Sequence, residues 1–323
     1  MNKTAFIILL FLIITYPLIS QERTLTLKGT AKGFKPDELS LIINDRHKNI
    51  NIIDNKFDIK VVLDKSPQKI YLHKKNGGYF PFYAEDTIMK AQISSDDIYH
   101  KTKISGSITQ DIYSLFLEAG VDTKKNIELF KKYLNTPPGI ERLNYLAKEL
   151  PIETVKNIYN SVNLKNINKV ARTKAVINTY NIEKMEIGTK AYPFVAIDQY
   201  GDSIIFNNNK YILLSFSETY CPACRKIYKQ LNNVQEKYKS SLKVINFHID
   251  NNKEDWRNII NEENININFS SVWEIDNKLE LLEIYDVYGW PLYYLINNKD
   301  IIIAKWFGNS KRELNRHLRK NIK

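Results

Sequence analysis

The chain carries only two cysteines in 323 residues, three positions apart, in the stretch Cys221-Pro222-Ala223-Cys224. Just before them runs KYILLSFS, apolar enough for a strand buried on both faces. Just after them, RKIYKQLNNVQEKY places Ile227, Leu231 and Val234 at helical spacing. The pair therefore marks a strand-to-helix junction. Pro222 suits the first helical turn, where its missing N–H would have no partner anyway. Cys221 then falls at the helix N-terminus, where backbone N–H groups and the helix dipole favour a thiolate. Cys224 lies one turn further in, on the same face and less exposed. A thiolate at 221 can attack a partner disulfide, and a thiol at 224 can resolve the mixed disulfide.

Other uses of two cysteines fit less well. A structural zinc site needs four ligands. The five histidines, His47, His73, His100, His248 and His317, are far apart and none pairs at ligand spacing. A clip closing so short a loop would constrain the unfolded chain little. Peroxidase chemistry wants a lone low-pKa cysteine, with any partner cysteine usually distant. Dithiol exchange is the reading that uses both residues at this spacing.

The chain opens on MNKTAFIILLFLIITYPLIS: one lysine, an apolar run, then the helix breaker Pro17. The apolar run is short and interrupted for a stable span, so residues 1–20 read as an export signal cut after Ser20. An uncleaved N-terminal anchor is the alternative. An exported chain can use disulfides freely. This one keeps a single candidate pair, so its fold must stand on hydrophobic cores. The formal charge is +11, with cations scattered among acids rather than gathered in a stripe. That pattern argues against a nucleic-acid surface, which wants a clustered basic face with interleaved aromatics.

The rest, roughly 300 residues, is enough for two or three domains. Residues 21–107 read as an antiparallel β domain, a small sandwich with closely spaced turns. The turns are expected at Asp54-Asn55-Lys56, joining two short runs, and at Asn76-Gly77-Gly78. Residues 108–187 change period: apolar residues recur every three or four positions, with Pro137-Pro138-Gly139 and Pro151 as punctuation. This is a helical linker region of short amphipathic helices. Residues 188–323 alternate strands and helices, a largely parallel βαβ core. In order we expect a hairpin turning at Tyr200-Gly201-Asp202, the buried strand, the cysteine helix and the strand SLKVINFHI. Two helices, KEDWRNIINEE and NKLELLEIYDV, come next. Then follow WPLYYLI and DIIIAKWFG, an antiparallel edge hairpin, and the terminal helix.

The motifs FSETYCPACRK, HIDNNKEDW and YDVYGWPLYYLIN occur in that order. Over residues 188–323 the chain resembles the thioredoxin superfamily, and within it the TlpA/ResA-like exported thiol–disulfide oxidoreductases. Tyr285, Val287, Gly289 and Pro291 match that branch's Tyr-x-Val-x-Gly-x-Pro segment. More weakly, residues 22–107 resemble the β domain found ahead of thioredoxin modules in exported Bacteroidetes proteins. The resemblance implies a thioredoxin-like domain with a central mixed sheet flanked by helices. It implies Cys221 as nucleophile and Cys224 as resolving thiol. It further implies a cis Pro291 that, with Trp290, forms the substrate-facing wall, with Tyr220 flanking the first cysteine.

The resemblance also has gaps. The branch usually has Trp where Tyr220 stands, and a small or β-branched residue where Trp290 stands. Ile227 and Ser215 occupy the two positions where relatives carry a proton-handling acid. Glu218 is the nearest substitute for that acid, although an exposed loop carboxylate is the plainer reading. Arg225 and Lys226 are cations beside the site or simply a solvated helix face. His248 and Trp256 read as packed core residues.

The reading that follows is an exported thiol–disulfide oxidoreductase of the periplasm or cell envelope, acting on protein or peptide dithiols and disulfides. A reductase role is expected, recharged by a membrane electron donor. No metal or organic cofactor is called for, and no nucleic acid. The N-terminal domain is a candidate for binding another envelope protein. The alternatives are a non-catalytic or regulatory binding module, and a disulfide oxidase or isomerase.

Overall fold

The computed structural model describes residues 22–44, 46–75, 77–205, 210–219, 221–250, 253–261, 266–275 and 277–322. The expected signal segment, residues 1–20, lies outside them, as does Tyr220. The chain divides into two compact units, Met1–Gly139 and Ile140–Lys323.

Among the described residues the first unit holds eight strands and the first two helices. The strands are β1 (Thr24–Lys32), β2 (Leu39–Ile43), β3 (Arg46–Asn49), β4 (Lys56–Val62), β5 (Gln68–Lys74), β6 (Tyr79–Ala84), β7 (Ile88–Ser94) and β8 (Lys103–Ser105). They form two four-stranded sheets, ordered β4-β1-β7-β8 and β3-β2-β5-β6. One core joins them: Leu25, Leu27, Phe57, Ile59, Met89 and Ile93 from the first sheet, Leu39, Leu41, Ile70, Leu72, Phe80 and Phe82 from the second. On β4 burial alternates strictly, as a one-faced strand should.

Two details of the sequence reading change here. The pair β1–β7 is parallel, not antiparallel. The chain makes the whole second sheet between these two strands, which supplies the long crossover a parallel pair needs. Gly29 sits at their closest approach, where a Cβ would lie 1.8 Å from the Ala91 carbonyl oxygen. The expected turn at Asp54-Asn55 is present, with both residues at positive φ (51° and 59°). Asp and Asn tolerate that region, as a primed hairpin turn requires. Yet only the second of the two flanking runs becomes a strand. Ile53 makes a single bridge to Lys56.

Helices α1 (Ile108–Ala119) and α2 (Thr123–Tyr133) start at side-chain caps, Ser107 and Asp122. Pro137-Pro138-Gly139, read as a break, instead opens α3 (Pro137–Leu146). Proline belongs in a first turn as readily as between helices, so the motif alone does not choose.

The second unit contains α4 (Ile152–Asn160), a short 3₁₀ segment at Leu164–Val170 and α5 (Ala171–Thr179). Among the described residues its sheet has seven strands: β9 (Val195–Asp198), β10 (Ser203–Ile205), β11 (Tyr211–Ser217), β12 (Leu242–His248), β13 (Ser270–Ile275), β14 (Leu292–Ile296) and β15 (Ile302–Phe307). Their order is β10-β9-β13-β12-β11-β14-β15. Its helices are α6 (Pro222–Tyr238), α7 (Lys253–Ile260), α8 (Lys278–Ile284) and α9 (Lys311–Asn321). Only β11–β12 and β12–β13 pair in parallel; β9, β10, β14 and β15 pair antiparallel. The sheet is thus mixed, and less parallel than the βαβ alternation implied. β13 was not anticipated. It lies between β12 and β9 and joins the N-terminal hairpin to the rest.

Separate apolar layers cover the two faces of this sheet. One holds Phe216, Phe247, Tyr285 and Tyr294, the other Leu213, Val244, Tyr293, Leu231 and both cysteines. Neighbours on one strand fall on opposite faces, which is why Phe216 and Leu213 serve different layers. Among the described residues no helix is long and apolar enough to cross a membrane.

Candidate active site

β11 ends at Ser217 and α6 begins at Pro222, so the strand-to-helix connection lies at the carboxyl end of a central strand. Ligands and catalytic groups favour that end in open α/β sheets. Cys221 has extended backbone (φ −77°, ψ 109°) and caps α6. Its N–H donates to the Glu218 carbonyl at 3.2 Å. Its sulfur accepts from the Cys224 backbone N–H at 3.0 Å. Cys221 and Cys224 are joined as a disulfide, with Cα atoms 5.3 Å apart. Cys221 keeps 8% of its surface exposed and Cys224 none. Any partner must therefore reach the pair through Cys221.

The Trp290–Pro291 peptide bond is cis. Pro291 is buried and Trp290 half-buried; the Trp290 ring packs against the apolar cluster that contains both cysteines. Ser215 is fully buried, opposite Asn246 on β12 and Tyr293 on β14. Ile227 is buried in the cysteine-side core. Neither position supplies an acid. Arg225 and Lys226 lie on the exposed side of α6.

Glu218 is partly buried. Burial and the nearby Asp250 charge push its carboxyl above the ordinary range, while a hydrogen bond with the Trp290 side chain pulls the other way. Reading this residue as an exposed loop carboxylate misses that environment.

Sequence reasoning passed over Asp250. Its carboxylate accepts from the Thr219 N–H through both oxygens, at 2.9 and 3.2 Å. Its backbone carbonyl accepts from Lys278 Nζ at 2.7 Å and from Trp273 Nε1 at 2.9 Å. Burial pushes the Asp250 carboxyl up, but bonds from His248 and Thr219 outweigh it and hold the group low. Burial pushes His248, which has no exposed surface, below the imidazole range. Its Nε2 lies 2.8 Å from Asn246 Nδ2, which also donates to Ser217 Oγ at 2.9 Å. Ser217 Oγ lies 3.3 Å from the Tyr228 hydroxyl on α6, whose pKa burial raises to about 12. A buried polar chain thus runs from the cysteine helix to His248, whose Nδ1 lies 3.5 Å from Asp250 Oδ2. The only sequence hint was the stretch HID, where polar residues close a strongly apolar strand. Trp256 anchors α7, donating to Ser271 Oγ at 3.1 Å.

Residues 208–302 match the thioredoxin-like family model. The C-terminal domain is thioredoxin-like. Residues 25–113 match a second family, a domain of unknown function (DUF4369). The cysteine pair at the start of α6 lies within the thioredoxin-like match.

Among solved structures, the chain is similar to the thioredoxin domain of a thiol-disulfide oxidoreductase from Bacteroides vulgatus. Identity there is 25%, over 43% of this chain and all of that one, with a TM-score of 0.39. It is similar to a thiol:disulfide interchange protein from Bacteroides sp., at 25% identity over 43% of this chain and 91% of that one, TM-score 0.38. It is also similar to StoA from Bacillus subtilis, at 22% identity over 40% and 97%, TM-score 0.35. No curated protein matches the chain. Among the described residues, no group of three or more His, Cys, Asp or Glu side chains could hold a metal ion.

Proposed function

We propose that the protein is an exported reductase of protein disulfides in the cell envelope. The observation that carries the reading is the asymmetry of the cysteine pair: Cys221 caps α6 and retains some exposure, and Cys224 is buried behind it. In this reading the Cys221 thiolate attacks a substrate disulfide and the Cys224 thiol resolves the mixed disulfide. Trp290 and Pro291 form the wall against which the substrate strand lies, Tyr220 flanks the nucleophile, and Glu218 handles the proton. A membrane dithiol donor returns the pair to its reduced state, and the N-terminal domain binds a further envelope protein. The leader over residues 1–20, read as an export signal, supports the location.

Reduction of insulin disulfides by the dithiothreitol-reduced protein tests the activity. The wild type turns over and Cys221→Ser does not. Cys224→Ser accumulates mixed disulfides through Cys221. An inactive wild type that nonetheless binds an envelope protein tightly would favour a binding module instead. The potential of the couple sets direction: near the ~−270 mV of thioredoxin it is a reductase, near ~−120 mV an oxidase.

A further inference from the structure

The outer face of the second sheet in the β-rich unit carries side chains that the exchange reaction does not use. Leu39 and Leu41 of β2, with Ile70 and Leu72 of β5, point into the core. Ser40 and His73 alternate with them and so point outward. Strand register sets the outward residues in a row across the sheet. Tyr79 of β6 is opposite His73, His73 is opposite Ser40, and Ser40 is opposite Asn49 of β3. His47 lies two residues before Asn49 on β3 and shares its face. Two histidines that are far apart in sequence thus meet over β2.

Both rings turn the same nitrogen toward one atom. Ser40 Oγ lies 3.2 Å from His47 Nδ1 and 3.4 Å from His73 Nδ1. The two ring centroids are 5.0 Å apart, with the planes at 75°. Tyr79 stacks on His73 at 4.7 Å and holds that ring in place. A hydroxyl has one proton, so Ser40 can donate to only one of the two nitrogens. The other ring must take the opposite tautomer and donate to Oγ. A cation between the three atoms needs no such arrangement. Ligand atoms about 2.0–2.1 Å from a tetrahedral zinc ion stand roughly 3.3–3.4 Å from one another. Both measured separations are close to that edge. An imidazole ligates only when neutral. Burial and the neighbouring His47 push the His73 pKa down, which keeps its ring neutral. Among the described residues no carboxylate bonds either ring.

We propose that His47, His73 and Ser40 form a site for a divalent transition ion of the zinc and copper class. The two Nδ1 atoms are the ligands, the Ser40 hydroxyl lies beside them, and water fills the rest of the coordination shell. Imidazole suits these ions, whereas a hard ion such as Mg²⁺ prefers carboxylate and water oxygen. With two imidazoles and no thiolate, the site is not a closed structural centre, and its ion exchanges with solvent. His47 is exposed and His73 half-buried, so an ion reaches them from outside without any movement of the core. The site belongs to the β-rich unit and does not depend on the cysteine chemistry.

The test is calorimetric titration of the oxidised full chain with ZnCl₂, with CuCl₂ and MgCl₂ in parallel. Keeping Cys221 and Cys224 as a disulfide stops their thiols from competing for the ion. We expect one equivalent of Zn²⁺, tighter binding of Cu²⁺ and none of Mg²⁺. His47→Ala and His73→Gln should each weaken Zn²⁺ binding by about 100-fold or more, and Ser40→Ala by about tenfold. His100→Ala and His317→Ala should leave it unchanged. Nitrogen NMR of the imidazoles in the wild type needs no variant to fold. Zinc on Nδ1 of both rings supports the site; zinc on Nε2, or on one ring only, overturns it. Absence of Zn²⁺ and Cu²⁺ binding overturns it too, as does binding that survives in both His47→Ala and His73→Gln.

Discussion

Lys278 shows how burial around the site acts on a single group. Its ammonium is largely withdrawn from water, and burial depresses its pKa to about 8, against the opposing pull of Asp250. A lysine depressed in the folded state binds its proton more tightly when unfolded. Stability therefore rises with pH between about 8 and 10.5, and the gain is lost as pH falls through 8. We predict that Lys278→Met flattens that rise relative to wild type, measured by urea denaturation at pH 7.5, 9 and 10. Comparison with the wild type isolates Lys278 from Lys184 and Lys243, which burial also depresses. At this scale the cysteines were legible because strand, proline and helix period are local signals. Asp250 was not, because its role depends on a bond to a backbone N–H 31 residues away. Glu218 was legible as a candidate, but its partial burial beside Trp290 is set by a loop far along the chain.

The elements divide along the same line between local and long-range causes. β11 and α6 announced themselves, since one is a continuous apolar run and the other a clean 3.6-residue stripe. β13 stayed hidden, since SSVWEI is short and opens on two serines whose fit is decided only by β12 and β9 on either side. The same holds for the parallel β1–β7 pair, because pairing direction is not written in a strand's own residues. Phe216, near the carboxyl end of β11, lies 5.6 Å from Phe247, 5.5 Å from Tyr285 and 6.2 Å from Tyr294 by ring centroids. We predict that Phe216→Ala costs about 3–5 kcal/mol, read as a lower urea midpoint, because the three rings packed around it cannot close so large a void.

On the scale of the whole chain, the helical stretch is not one piece. α1 and α2 go with the β-rich unit, while α4 and α5 go with the thioredoxin-like one. Within the second unit α5 packs on α8, and Glu283 of α8, 5% exposed, is held by Lys148 at 2.8 Å and Arg172 at 3.6 Å. Removing those cations strands a buried carboxylate. A fragment starting at Gly188 should therefore be about 3 kcal/mol less stable in urea than one starting at Thr136, while both keep the cysteine pair. The two cysteines have a further consequence. The β-rich unit contains no sulfur that could be oxidised to a disulfide, nor could any part of the second unit outside the site. In the proposed reading, a protein that rewires disulfides in others thus offers them nothing to rewire outside its own pair. On that reading it cannot scramble itself, and a disulfide between two copies would have to run through Cys221 or Cys224.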